Sequence, residues 1–193
     1  MNDHRRTGRQ LQQLTIGWNI AEVFVTVGLG IAAGSLALVA FGLDSLIEVF
    51  ASVVVLWHMA PADHEQRTRD DRARRLVAVA FALLAGYLMI ASVRALWTQA
   101  EPDSSPIGIA YLAVTAVVMF ALARAKNRVG RQLGSEPFVA EARLTFLDGC
   151  LATAILVALT LNTAFGWWWA DPLAAIVVGV VAAREALELS ELR

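Results

Sequence analysis

The sequence predicts an all-α polytopic membrane protein, a bundle of six transmembrane helices with both termini in the cytoplasm. Three observations carry that expectation. Of the 193 residues 58% are hydrophobic and only 17% charged, a composition typical of membrane proteins and not of a soluble domain of this length. Six apolar runs, residues 15–33, 36–57, 76–97, 107–125, 138–161 and 172–189, each come close to the length of a helix that crosses a hydrocarbon core. The charges collect mostly between those runs, where a soluble helix would spread them along one face.

Arginine and lysine orient the bundle. Arg5, Arg6 and Arg9 precede the first run; Arg67, Arg69, Arg72, Arg74 and Arg75 lie between the second and third; Arg124, Lys126, Arg128 and Arg131 follow the fourth. The other three connections, GS, TQAEPDSSP and NTAFGWWWAD, hold no Lys or Arg. Cytoplasmic loops carry the positive excess, so six crossings with both ends inside satisfy every loop.

Taken in order, each run shows its own signals. The N-terminal MNDHRRTGRQLQQ is polar and lacks the organisation of a cleavable signal, so the first span is expected to be retained. Gly17, Gly28, Gly30, Gly34 and Gly42 on the first two spans suit close helix approach or sliding, and ordinary packing explains them equally well. Arg94 lies near the outer end of the third span, where it can snorkel or pair with a carboxylate. In the fifth, Cys150 reads as a small apolar packing residue; a lone cysteine leaves no internal disulfide and no thiolate metal cluster. Trp167, Trp168 and Trp169 match an outer aromatic belt, and Asp171 before Pro172 reads as the N-cap and first residue of the sixth span. The loops are short, so residues 1–193 are expected to form one transmembrane domain with no cytoplasmic C-terminal domain. The net charge of −1 gives no sign of nucleic acid. No catalytic triad, phosphate loop or nucleotide fingerprint supports an enzyme, and no prosthetic group is implied.

The acids inside the spans point to function. A carboxylate near the bilayer centre costs about 2.5 to 3.5 kcal/mol, so a helix holding two needs compensation. Asp44 and Glu48 lie one turn apart on the same face of the second span and repel each other unless positive charge lies between them. A cation supplies that charge most simply; protons are the other means. At a rise of about 1.5 Å per residue, Glu22, Glu48, Asp148 and Asp44 lie roughly 10, 13, 15 and 19 Å from the cytoplasmic ends of their spans. Four acids from three helices therefore share one slice of the membrane. Asn19, nearly a turn before Glu22, adds a neutral oxygen to complete a coordination shell or bond a carboxylate. Glu141, two turns before Asp148, lies nearer the cytoplasm, where an access point belongs, although beside Arg143 a solvated acid reads as well. Glu22 reads equally as a ligand and as a packing contact. For Asp44, Glu48 and Asp148 the structural reading is an ion pair, but the mid-sections of the spans offer hardly any basic residue to make one. His4, His58 and His64 fall outside the slice.

The stretch GSLALVAFGLDSLIEVFAS resembles the second transmembrane helix of the cation diffusion facilitator (cation efflux) family, where Gly-Ser precedes Asp-x-x-x-Asp. Asp44 matches the first acid, and Glu48 stands where the second Asp usually is. The family's fifth helix carries His-x-x-x-Asp or Asp-x-x-x-Asp; in LTFLDGCLATAIL those positions are Leu144 and Asp148, so the acid is kept and the first ligand lost. ADPLAAIVVG resembles the sixth helix, which also opens with an Asp. The resemblance implies a multi-pass transporter of the cell membrane, a homodimer, that exports a divalent cation such as zinc, manganese or iron from the cytoplasm in exchange for protons. A compact subgroup with the transmembrane domain only is expected, and Asn19, Glu22 and Glu141 are inferred from their positions to replace the lost ligand. An all-oxygen donor set suits harder ions such as Mn²⁺, Mg²⁺ or Fe²⁺, while zinc more often takes some nitrogen or sulfur. Two other readings stay open: a membrane metal-binding or accessory protein without transport, and a proton-coupled transporter of organic cations.

Overall fold

A computed structural model of the chain describes residues 2–58, 66–133 and 136–191. Six helices follow one another: α1 (Asn2–Ala33), α2 (Leu36–His58), α3 (Gln66–Thr98), α4 (Pro106–Leu133), α5 (Glu136–Phe165) and α6 (Ala170–Glu191). One helix forms on each apolar run, and the described residues contain no strand. Gln10–Ala33, Ala78–Thr98, Pro106–Gln132 and Ala142–Phe165 are long and apolar enough, by length and composition, to cross a membrane. The molecule is thus an all-helical, multi-pass membrane protein.

Three helices run more than two turns beyond the predicted spans: α1 and α3 begin earlier, and α4 ends later. An α-helix satisfies its own backbone in water as well as in lipid, so the end of an apolar run marks the edge of the hydrocarbon and not the end of the helix. The Arg-rich turns simply continue it, as at the end of α4, where Arg131 Nε donates to Asn127 Oδ1 at 3.2 Å.

α2 lies at the centre, packed against α1, α3, α5 and α6; α3 lies along α6, and α4 joins α5 to α1. Leu38 and Phe41 of α2 meet Leu84 and Leu88 of α3, Leu112 of α4, Ile155 of α5 and Val178 of α6 in one apolar core. Outward-facing positions are also apolar, with Phe24 76% and Ile90 74% exposed. A bilayer solvates such a surface, and water does not.

The ends of the bundle differ. At the end where α1–α2, α3–α4 and α5–α6 join, Gly34 adopts φ +63°, a conformation open to glycine at little cost. It lets Ser35 cap α2, with Leu38 N–H donating to Ser35 Oγ at 3.1 Å. Asp171 was expected to cap its own helix. It instead lies inside α6 and reaches across to α2, where one carboxylate oxygen accepts the Ser35 hydroxyl and the other accepts Leu36 N–H at 2.9 Å. The first N–H groups of α2 have no partner within their own helix, and a carboxylate from a neighbouring helix supplies one. The α3–α4 connection is tied in by Asp103 N–H to Ala33 O (2.8 Å) and Asn162 Nδ2 to Pro102 O (3.0 Å). Beyond the core, Trp167 and Trp169 stack with ring centroids 5.2 Å apart.

The α1–α2 crossing depends on two of the five glycines. A Cβ on Gly30 would fall 2.7 Å from the backbone nitrogen of Val39, and one on Gly42 would press into Thr26 and Val27. Gly17 and Gly28 face open space, so close approach does not explain them. Cys150 is exposed, contrary to the expectation of a packing residue; a weakly polar thiol is tolerated on the outer face of a membrane helix as readily as in its core.

Candidate cation site

α1 turns an unusual face inward. Its buried positions Gln12, Thr15, Asn19, Glu22, Thr26 and Gly30 recur at steps of three and four, so the helix presents a polar and small stripe to the bundle and its large apolar side chains outward. α2 answers with Asp44 and Ser45, both buried, and the half-buried Glu48. Asn19 Nδ2 donates to Glu48 Oε2 at 3.1 Å. Ser45 Oγ lies 3.1 Å from Glu22 Oε2 and 3.0 Å from Phe41 O, so its hydroxyl can serve either acceptor. Thr26 Oγ1 donates to the Glu22 carbonyl at 2.7 Å, which keeps a β-branched polar residue satisfied within its own helix.

α5 supplies Asp148. Its side chain is 2% exposed, and neither carboxylate oxygen has a hydrogen-bond partner. Asn19 Oδ1 and Glu22 Oε1 are buried acceptors in the same condition. Such atoms are costly in a bundle interior unless a cation, a proton or water satisfies them. All six pairs among Glu22, Asp44, Glu48 and Asp148 lie within electrostatic reach of one another. Asp44 and Asp148 are thus close enough for each carboxylate to feel the other's charge. The arrangement is looser than a finished coordination shell: among the described residues no three His, Cys, Asp or Glu side chains converge closely enough to hold one metal ion.

The remaining expected residues separate. Glu141 belongs to α5, but its side chain lies outside the described residues, as do the side chains of His4, His58 and His64. Leu144, at the position of the lost ligand, is 45% exposed, and the inward-facing neighbour is Thr145. Two charged residues near the cluster were missed. Lys126, assigned to a loop, is fully buried on α4, and its Nζ donates to Thr145 Oγ1 at 3.2 Å. Its signal was the stripe Leu112, Ala116, Met119, Ala123, Lys126, which continues the buried face one residue past the predicted span end. Glu185 of α6, half-buried, lies within electrostatic reach of Asp44.

An all-helical membrane fold with ionisable groups held inside the bundle defines a class of polytopic membrane proteins whose buried charges handle ions. The chain belongs to the cation efflux family, whose transmembrane domain matches residues 73–191, more than half of the sequence. That stretch contains Lys126, Asp148 and Asp171; Glu22, Asp44 and Glu48 precede it. The chain is 27% identical over 165 residues to the cation-efflux pump FieF of Shewanella oneidensis, covering 81% of this chain and 55% of that protein. It is 29% identical over 164 residues to the FieF pump of Citrobacter koseri, covering 81% and 54%, and 26% identical over 182 residues to a transporter of a Synechocystis strain, covering 90% and 59%. The chain thus spans little more than half the length of these relatives.

Proposed function

We propose that this chain is a secondary transporter that exports a divalent metal cation from the cytoplasm in exchange for protons. The observation that carries the reading is Asp148: a buried carboxyl with two unpartnered oxygens, within electrostatic reach of three further acids. A dication relieves the mutual repulsion of the four carboxyls and satisfies the orphan oxygens of Asp148, Glu22 and Asn19 together. Family membership and likeness to proteins named cation-efflux pumps support transport over static binding.

The transport cycle follows from competition for the same oxygens. With the bundle open to the cytoplasm, the cation enters and protons leave. A rearrangement of the helices draws the ligands in from their present spacing and then exposes the site on the opposite side, where protons displace the ion. Asp44, Glu48, Asp148, Glu22 and Asn19 are the proposed ligands, with Glu141 on the cytoplasmic approach. Oxygen donors admit Mn²⁺ and Fe²⁺ readily and Zn²⁺ as well. The chain works as one transmembrane unit in the bilayer, and the family resemblance points to a homodimer.

The test is metal uptake into proteoliposomes with a pH-sensitive dye inside. The wild-type chain is expected to move Zn²⁺ or Mn²⁺ with counterflow of protons, and Asp44→Asn and Asp148→Asn to reduce flux to the level of empty vesicles. Metal binding without flux would identify an accessory binding protein instead. Flux of organic cations but not of metals would identify the third reading.

A further inference from the structure

Lys126 stands apart from every other basic residue described. A lysine near the end of a membrane helix ordinarily extends its ammonium to water, yet this one is fully buried. The ammonium rests on Thr145 Oγ1 at 3.2 Å. Thr145 precedes Asp148 by three residues, on the same inward face of α5, about 4.5 Å along the axis. The ammonium stops short of a hydrogen bond to Asp148, whose oxygens have no such partner, while its charge reaches both Asp148 and Glu48. Its flexible four-carbon stem allows the head to move between a hydroxyl and a carboxylate one turn away.

We propose that Lys126 is a tethered cation of the acid cluster, a positioning residue that stands in for the transported ion when the site is empty and opposes a dication when it arrives. The inference rests on the cation-site reading given above. Near Asp148 and Glu48 the ammonium offsets part of the repulsion among the four carboxyls, so the empty bundle does not need a metal ion to stay packed. Its charge also lowers the affinity of the cluster for a divalent ion. A site that must release its ion in every cycle benefits from that weakening.

The test is isothermal titration of Zn²⁺ and, separately, Mn²⁺ into the full chain in lipid nanodiscs. Wild type, Lys126→Met and Lys126→Gln are compared, each with and without Asp148→Asn, with melting temperatures recorded alongside. Both Lys126 variants are expected to bind the ions about tenfold more tightly than wild type, because a like charge near the site is gone. Lys126→Gln can still bond Thr145, so it decides the matter should Lys126→Met fail to fold. A purely structural lysine predicts lower melting temperature with unchanged or weaker binding, and that result overturns the inference. If wild type binds and Asp148→Asn does not, while the Lys126 variants match wild type, the tethered-cation role falls and the cation site stands. If none of the proteins binds either ion, both fall.

Discussion

At the end where α1–α2, α3–α4 and α5–α6 join, Leu38, Phe41, Leu88, Leu112 and Ile155 pack as an apolar core, and the buried carboxylate of Asp171 is held by Ser35 and the first N–H groups of α2. Toward the arginine-rich end, Asn19, Glu22, Asp44, Glu48, Asp148 and Lys126 fill the same interior, and several of their polar atoms lack partners. The two regions share α2, α4 and α5 and differ in what they leave unsatisfied. Asp171 shows that this fold can saturate a buried acid with fixed donors. Asp148 has no such donors, and on the proposed reading a mobile cation takes their place.

The largest expected effect lies in the satisfied region. Asp171→Ala leaves the Ser35 hydroxyl and the Leu36 N–H without their acceptor and is expected to lower stability by about 3 kcal/mol, read as a fall in melting temperature in detergent. The ion affinity of the molecules that remain folded is expected to be unchanged. A fall in affinity would show that the two regions are not separable.

In the open region the sign reverses. Asp148→Asn removes a buried, crowded charge and is expected to raise stability in metal-free buffer by about 2 kcal/mol, although it abolishes flux. Destabilisation instead would mean that Asp148 is structural, as Asp171 is. A smaller change is expected from Asn19→Ala, which deletes the 3.1 Å bond to Glu48 and should weaken Mn²⁺ binding about fivefold, near 1 kcal/mol, by titration calorimetry. Least of all, Leu144→Ala should alter binding by less than about 0.5 kcal/mol, because that side chain is half exposed and not turned to the cluster.

The acids of the open region were easier to read than the contacts around them. A carboxylate in an apolar run is conspicuous because it violates the composition of its surroundings, so Glu22, Asp44, Glu48 and Asp148 stood out one by one. Lys126 violated nothing: it sits one residue past a run of apolar residues, among arginines, where a lysine is ordinary. Its burial is decided by α5, which covers that turn of α4 and offers Thr145. The Asp171 contact was half legible. Its position before Pro172 suggested a cap, but not that the helix capped would be α2, which begins more than a hundred residues earlier.

By itself the sequence determined the class, the number of helices and which acids interrupt the apolar runs, because hydropathy and charge are summed residue by residue along a chain and the bilayer reads that sum directly. The tertiary structure alone decided which oxygens have partners, which helix Asp171 caps, and that a lysine lies buried beside the carboxyls. Those facts depend on distances between helices, and only packing fixes them.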